Sequence, residues 1–257
     1  MPEDALTSLD TLRLPHGAQR VEFVSDLQLA PEWPRTREAY FGWLRHSTAD
    51  QLVILGDLFE AWIGDDALAT GFEAECAAAL REASRRRPVA VMRGNRDFLL
   101  GDAFFQHTGC QELDDPCRVS AFGLTLLLSH GDALCLDDQD YQRFRAQVRG
   151  EAWQQAFLSQ PLVARQQIAA QMREASRQRQ QGRQAESYAD PDPALATRWL
   201  AQAGAQVLLH GHTHRPTDES RPEGWRRLVL SDWDLDHAER AEVLVWTASG
   251  FERQALR

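Results

Sequence analysis

Five short apolar runs in this chain each break off at a side chain able to bind a metal ion, and this pattern restricts the fold more than any other feature. Val21–Ser25 (VEFVS) runs into Asp26, with Gln28 two residues on, and Leu52–Leu55 (LVIL) runs through Gly56 into Asp57. Pro88–Met92 (PVAVM) leads through Arg93 and Gly94 to Asn95, and Leu124–Ser129 (LTLLLS) leads to His130. Val207–Leu209 opens into HGHTH, which carries His212 and His214. Runs of this length and composition read as buried strands. Helical stretches at Thr36–Arg45 and Phe72–Arg86 separate the first three, so strand and helix alternate as in an α/β sheet covered by helices. The carboxyl ends of strands in such a sheet open onto one crevice, where the donors would meet.

Further strands are expected at Leu228–Leu230 and Glu242–Trp246, closer together and with turn residues between them. That spacing predicts antiparallel or mixed pairing and a second packed sheet. The expected fold class is therefore α/β, with two packed mixed β-sheets flanked by helices in a single domain over residues 1–257. One segment, 139–188, departs from this pattern. From Tyr141 to Tyr188 it has a single proline, twelve Gln and eight Arg, with no β-type run. Phe144, Val148, Trp153, Phe157, Leu158, Leu162, Ile168 and Met172 recur at roughly helical spacing. Two or three inserted helices are expected there, packing their apolar stripe on the body as a cap or lid.

Composition excludes several chemistries. All 28 basic residues are Arg, so no lysine Schiff base and no phosphate-loop lysine exists. A net charge of −10 disfavours a nucleic-acid partner. Cys76, Cys110, Cys117 and Cys135 form no CxxC pair, which points to free thiols in a reducing compartment. The amino terminus lacks a secretory pattern, and no apolar run approaches the roughly 20 residues of a membrane span. A cytoplasmic chain, attached at most to a membrane surface and with no obligate protein partner, is expected.

Asp, Asn and His offer oxygen and imidazole donors suited to Mn²⁺, Fe²⁺ or Zn²⁺, and no thiolate joins the series. Asp57 is the natural bridging carboxylate for two ions about 3.5–4 Å apart, the spacing of phosphoester-cleaving pairs. Alternation along an extended segment would put His212 and His214 on one side, each reaching a different ion. Asp26, Asp57, Glu60, Asp65 and Asp66 would crowd negative charge that cations relieve.

DLQ at Asp26, GDLFE, GNRD, SHGD and GHTH together resemble the calcineurin-like metallophosphoesterase superfamily. Within it, GDLFEAWIGDD, RGNRDFLLG, HGDALCLDD and LLHGHTHRP are similar to the branch acting on UDP-2,3-diacylglucosamine in lipid A synthesis. The similarity runs from Val21 to Trp246, with the insertion in the branch's place and Arg96 where general phosphatases carry His. It implies two Mn²⁺ ions, one held by Asp26, Gln28, Asp57 and His214, the other by Asp57, Asn95, His130 and His212. It implies substrate contacts at Asn95, Arg96, Asp138 and His212, and in the insertion at Ser176, Gln180 and Arg183, the last two standing where the branch has Asn and Lys. Asp57, Arg96 and His130 would form the catalytic group. The implied reaction is attack of a metal-activated water on the α-phosphorus, giving 2,3-diacylglucosamine 1-phosphate (lipid X) and UMP. The implied setting is the cytoplasmic face of the inner membrane, where the protein sits peripherally. Gln28 replaces the branch's His and is a weaker donor, so the first ion is either held less tightly or lost. The competing readings are another dinuclear phosphoesterase, acting as a nucleotide pyrophosphatase or phosphodiesterase, and a non-catalytic scaffold that has lost one metal.

Overall fold

The computed structural model describes Leu6 and residues 9–181 and 190–256. Two six-stranded sheets pack face to face, and seven α-helices accompany them among the described residues. In chain order the strands are β1 (Asp10–Leu12), β2 (Val21–Val24), β3 (Gln51–Leu55), β4 (Val89–Met92), β5 (Gln111–Leu113) and β6 (Cys117–Ala121). They continue as β7 (Leu124–Ser129), β8 (Val207–His210), β9 (Thr217–Ser220), β10 (Arg226–Val229), β11 (Glu242–Thr247) and β12 (Gly250–Ala255). The helices are α1 (Pro34–His46), α2 (Phe72–Ser84), α3 (Asp102–Thr108), α4 (Gln139–Val148), α5 (Glu151–Leu158), α6 (Leu162–Gln181) and α7 (Pro193–Ala203). One sheet has the order β1-β6-β7-β8-β10-β9 and the other β12-β11-β2-β3-β4-β5.

Alternation along the central strands divides the core into layers. Val21 and Phe23 of β2, Val53 and Leu55 of β3, and Ala90 and Met92 of β4 face the other sheet. Val24, Leu52, Ile54, Val89 and Val91 face α1, α2 and α3. A third apolar cluster packs α7 on the outer face of β7 and β8 through Leu195, Trp199, Leu127 and Leu208. Burial on both faces explains why these strands read as unbroken apolar runs. The exception within β2 is Glu22, 3% exposed. It pairs with Arg20 at 2.8 Å and accepts hydrogen bonds from Trp43 Nε1 and Ser47 Oγ, each at 2.8 Å. A buried carboxylate is tolerable only with such partners.

Strand direction decides where the loops go. β2, β3 and β4 are mutually parallel, with Val24 opposite Ile54 and Leu55 opposite Met92. β7 and β8 are parallel in the other sheet, with Ser129 opposite His210. The carboxyl ends of five strands from two sheets thus lie along one rim of the sandwich.

The insertion enters after β7 and returns through α7 to β8. Asp138 caps α4 by accepting from Tyr141 N at 3.1 Å, and Asp192 caps α7 by accepting from Leu195 N at 2.7 Å. The apolar stripe expected on these helices divides. Val148 and Phe157 are buried, and Trp153 and Ile168 pack on the main core. Trp153 stacks on Phe157 at 4.9 Å and meets Phe98 at 6.1 Å. Leu158 is instead 41% exposed, and Val163, which lies outside that stripe, is 64% exposed. Arg165 fixes α6 to the body: it is nearly buried, donates to the carbonyls of Gln160 and Ile63, and forms a two-armed pair with Asp66.

Candidate metal centre

The donors that follow β2, β3 and β8 adopt a backbone conformation most side chains avoid. Asp26, Gln28, Asp57, His212 and His214 have φ between 47° and 64°. Non-glycine residues rarely occupy this left-handed region, and Asp, Asn and His tolerate it best. His212 and His214 therefore sit in a tight loop after β8. The extended alternation expected for them does not occur, because β8 ends at His210 and each histidine turns left-handed.

Glycines allow these loops to interlock. A Cβ on Gly94 would overlap the Asp57 carboxylate, and one on Gly211 would overlap Ser25 Oγ and Asp26 Oδ2. Main-chain bonds tie neighbouring loops together: Asp26 N donates to Gly56 O at 3.1 Å, and Gln28 N donates to Asp57 O at 2.9 Å. Asp97 is completely buried and orders the Asp57 loop. Its carboxylate accepts from Gly94 N and Leu58 N, each at 2.7 Å, and from Asp57 N at 3.3 Å. GNRD was visible as a motif in the sequence, but the bracing role of its Asp emerges only when the β3 and β4 loops are seen side by side.

All seven expected donors come together, in two groups. In the first, His214 Nε2 lies 3.2 Å from Asp26 Oδ1 and 3.1 Å from the Gln28 amide. In the second, Asn95 Oδ1 lies 2.8 Å from His130 Nε2 and 2.7 Å from His212 Nδ1. Asp57 stands between them: its Oδ1 is 3.7 Å from His130 Nε2, and Asp26, Asp57 and His130 each offer a ligand atom within 4.8 Å of the others. The Gln28 amide thus lies against His214, within the first donor group.

The electrostatics fit a cation. Burial lifts the Asp57 carboxyl to about 7, aided by Asp26 and Asp97 and opposed by His130 and Arg96. Burial would lower His130, yet Asp57 and Asp26 hold it up at about 9. Asp26 is held well below the carboxylate range by the His214 and His130 imidazoles, against its burial. A divalent ion bound among these groups would favour the ionised Asp57 and the neutral His130 that bind metals. His212, lowered to about 4 by burial and then by His130, is a neutral imidazole at physiological pH, the form that binds metals.

The acidic crowd expected around the site is smaller than its sequence suggests. Glu60 pairs with Arg96, Asp66 pairs with Arg165, and Asp65 accepts from Trp62 Nε1, Gly101 N and Phe104 N at 3.0 Å each. Only Asp26 and Asp57 remain for cations. Arg96 lies in the site, with its Nε 3.5 Å from Asp57 Oδ2 and its main-chain N 2.8 Å from Asp57 Oδ1. Asp138 serves as the α4 cap. Ser176 and Gln180 fall on α6, but their side chains and all of Arg183 lie outside the described residues. Sequence reasoning missed Asp232, which lies 3.6 Å from His214 Nδ1 and is held by Arg240 at 2.8 and 2.6 Å. No local motif marks it; only the return of β10 toward the rim brings it there.

The chain matches the calcineurin-like phosphoesterase family over residues 20–216. The UDP-2,3-diacylglucosamine hydrolase of Stenotrophomonas maltophilia is 43% identical over 245 residues, covering 91% of this chain and 97% of the relative. That of Xanthomonas campestris pv. campestris is 44% identical, covering 91% and 98%. A family match over most of the chain, near-complete alignment with these relatives and a two-lobed donor set on one rim agree: the chain belongs to the calcineurin-like phosphoesterases and, within them, to the UDP-2,3-diacylglucosamine hydrolase family.

Proposed function

We propose that this chain hydrolyses the pyrophosphate bond of UDP-2,3-diacylglucosamine to 2,3-diacylglucosamine 1-phosphate and UMP, in lipid A synthesis. The observation that carries this reading is the meeting of all seven donors around Asp57, in a chain aligned nearly end to end with relatives of that name. Asp26, Gln28, Asp57 and His214 would hold one Mn²⁺, and Asp57, Asn95, His130 and His212 the second. When bound, such a pair supplies an activated water and offsets charge on the phosphoryl oxygens. Arg96, oriented by Asp57 and Glu60, offers a charge-assisted, two-armed donor to a phosphate at the same place. Asn95 and His212 flank that position, and Asp138, with Ser176, Gln180 and Arg183 of the insertion, completes the substrate contacts.

In the overall reaction the solvent oxygen bonds to the α-phosphorus, and the bond from that phosphorus to the bridging oxygen breaks. The electron pair leaves on the sugar phosphate. That group is stable as an anion, so an acid at position 96 is unnecessary. Turnover in ¹⁸O-water with Mn²⁺ is expected to place the label in UMP. Label in the sugar phosphate would overturn attack at the α-phosphorus. Turnover of simple phosphodiesters or free UDP-sugars, with none of the lipid, would favour another phosphoesterase activity.

The substrate's acyl chains support a setting at a membrane surface. No helix among the described residues is long and apolar enough to cross a membrane. The insertion carries eight Arg against three Glu and exposes Leu158 and Val163, a combination suited to lying on anionic headgroups at the cytoplasmic face. Co-sedimentation with phosphatidylglycerol vesicles is expected, weakening with salt and in an Arg177→Glu/Arg179→Glu variant. Binding that survives both changes would refute this placement.

A further inference from the structure

The insertion does more than cover the rim, because one stripe of α4 reaches into it. Tyr141 Oη donates to Asp132 Oδ2 at 2.6 Å, Arg145 Nε donates to the same oxygen at 2.8 Å, and Arg149 lies 3.5 Å from it. These residues follow one another at four-residue steps and so share a helix face. Gln142 adds bonds to the carbonyls of Asp132 and Cys135 at 2.7 and 3.1 Å. Asp132 is two residues past His130 and completely buried, and among the described residues its Oδ1 has no hydrogen-bond partner. Its charge is therefore compensated chiefly by α4.

Arg149 extends the same contact across the two sheets. Its terminal nitrogen donates at 3.0 Å to the carbonyl of Gly94, the residue before Asn95. The Tyr141 ring lies 5.9 Å from that of His212. α4 and its C-cap residue Arg149 thus touch the loop after β4 in one sheet and the loops after β7 and β8 in the other, and no ladder of hydrogen bonds joins the two sheets. Asn95 bridges the same gap, with its oxygen on both His130 and His212.

We propose that Arg149, acting with Asp132, is a positioning residue that fixes Asn95 relative to His130 and His212, so that the insertion helps build the second ion site. The inference rests on the function proposed above and deepens it. Groups that orient metal ligands typically change affinity or activity about 10–100-fold when removed.

The test titrates Mn²⁺ into metal-stripped wild type, Arg149→Met, Arg149→Lys and Asp132→Asn by calorimetry, with kcat and KM measured in parallel. Arg149→Met is expected to weaken one Mn²⁺ site about 10–100-fold and lower kcat similarly, with KM within about twofold. Arg149→Lys, which keeps a cationic donor for the Gly94 carbonyl, should recover a large part of both. Asp132→Asn should shift the same two quantities in the same direction, which keeps the test decisive if Arg149→Met fails to fold. A raised KM with Mn²⁺ affinity and kcat unchanged would overturn the proposal in favour of a substrate contact. A lowered melting temperature with affinity unchanged would reduce the contact to simple docking of α4. If wild type itself takes up no Mn²⁺, the function proposed above fails, an outcome separate from either of these.

Discussion

Asp57→Asn is expected to lower hydrolysis by about a thousandfold or more, equivalent to roughly 4 kcal/mol of transition-state stabilisation. Asn preserves the shape of Asp57 and a hydrogen-bond acceptor for Arg96, so the loop should persist. What it removes is the single negative charge standing between the two donor groups. Metal-free protein should not suffer, because burial already disfavours this carboxylate and holds it at about 7. Differential scanning makes the contrast visible. For each Mn²⁺ site held at a hundredfold excess over its dissociation constant, wild type should gain about 2.7 kcal/mol, and the variant almost none. In wild type the same titration should resolve two ions, the weaker at the group containing Gln28, whose amide is a poorer donor than imidazole. A variant that keeps both its activity and its Mn²⁺-induced gain would remove Asp57 from the centre of the site.

Phe104→Ala should be the most destabilising single truncation near the site. Phe104 is completely buried, with ring centroids 6.3 Å from Phe59, 5.3 Å from Trp62 and 5.3 Å from Phe105. These rings form the floor beneath the loop that carries Asp57 and Glu60. Loss of the ring leaves a cavity among these three neighbouring rings, with an expected cost of about 3–5 kcal/mol. For a chain of this size that corresponds to a melting temperature lower by roughly 6–20 °C. Phe104→Leu, which fills more of the space, should lose less than half as much. Equal losses in the two variants would show that the site collapses freely and that ring packing is unimportant there.

The strands that deliver donors were legible because they lie in the middle of their sheets. Gln51–Leu55 and Leu124–Ser129 agree with the expected runs to within a residue. Edge and outer strands were not. Thr217–Ser220 (TDES) is polar throughout, and Gly250–Ala255 alternates partly buried and exposed residues at a sheet edge, so neither forms an apolar run. The donor set was readable for a similar reason: each ligand directly follows a buried run. Asp97, Asp132 and Asp232 were not, since their importance lies in contacts with residues 39, 13 and 8 positions away. Local spacing carries no trace of such partners. The insertion was legible as helical, yet the anchoring of α6 by buried Arg165 was hidden, because an Arg in an Arg-rich stretch reads as solvated surface.

The left-handed backbone at five of the donors has a consequence for which substitutions the rim can accept. A Val, Ile or Thr at any of these positions would meet its own carbonyl oxygen before it reached any ion, so branched side chains are disfavoured by geometry alone. Glycine apart, the residues that bear this twist with least penalty, Asp, Asn and His, are also good ligands for a hard or borderline divalent ion. Gln at 28 is unbranched at Cβ and still ends in an oxygen. The tight turns therefore narrow sequence drift at the rim, turning away branched replacements that bring no ligand and favouring those that keep one.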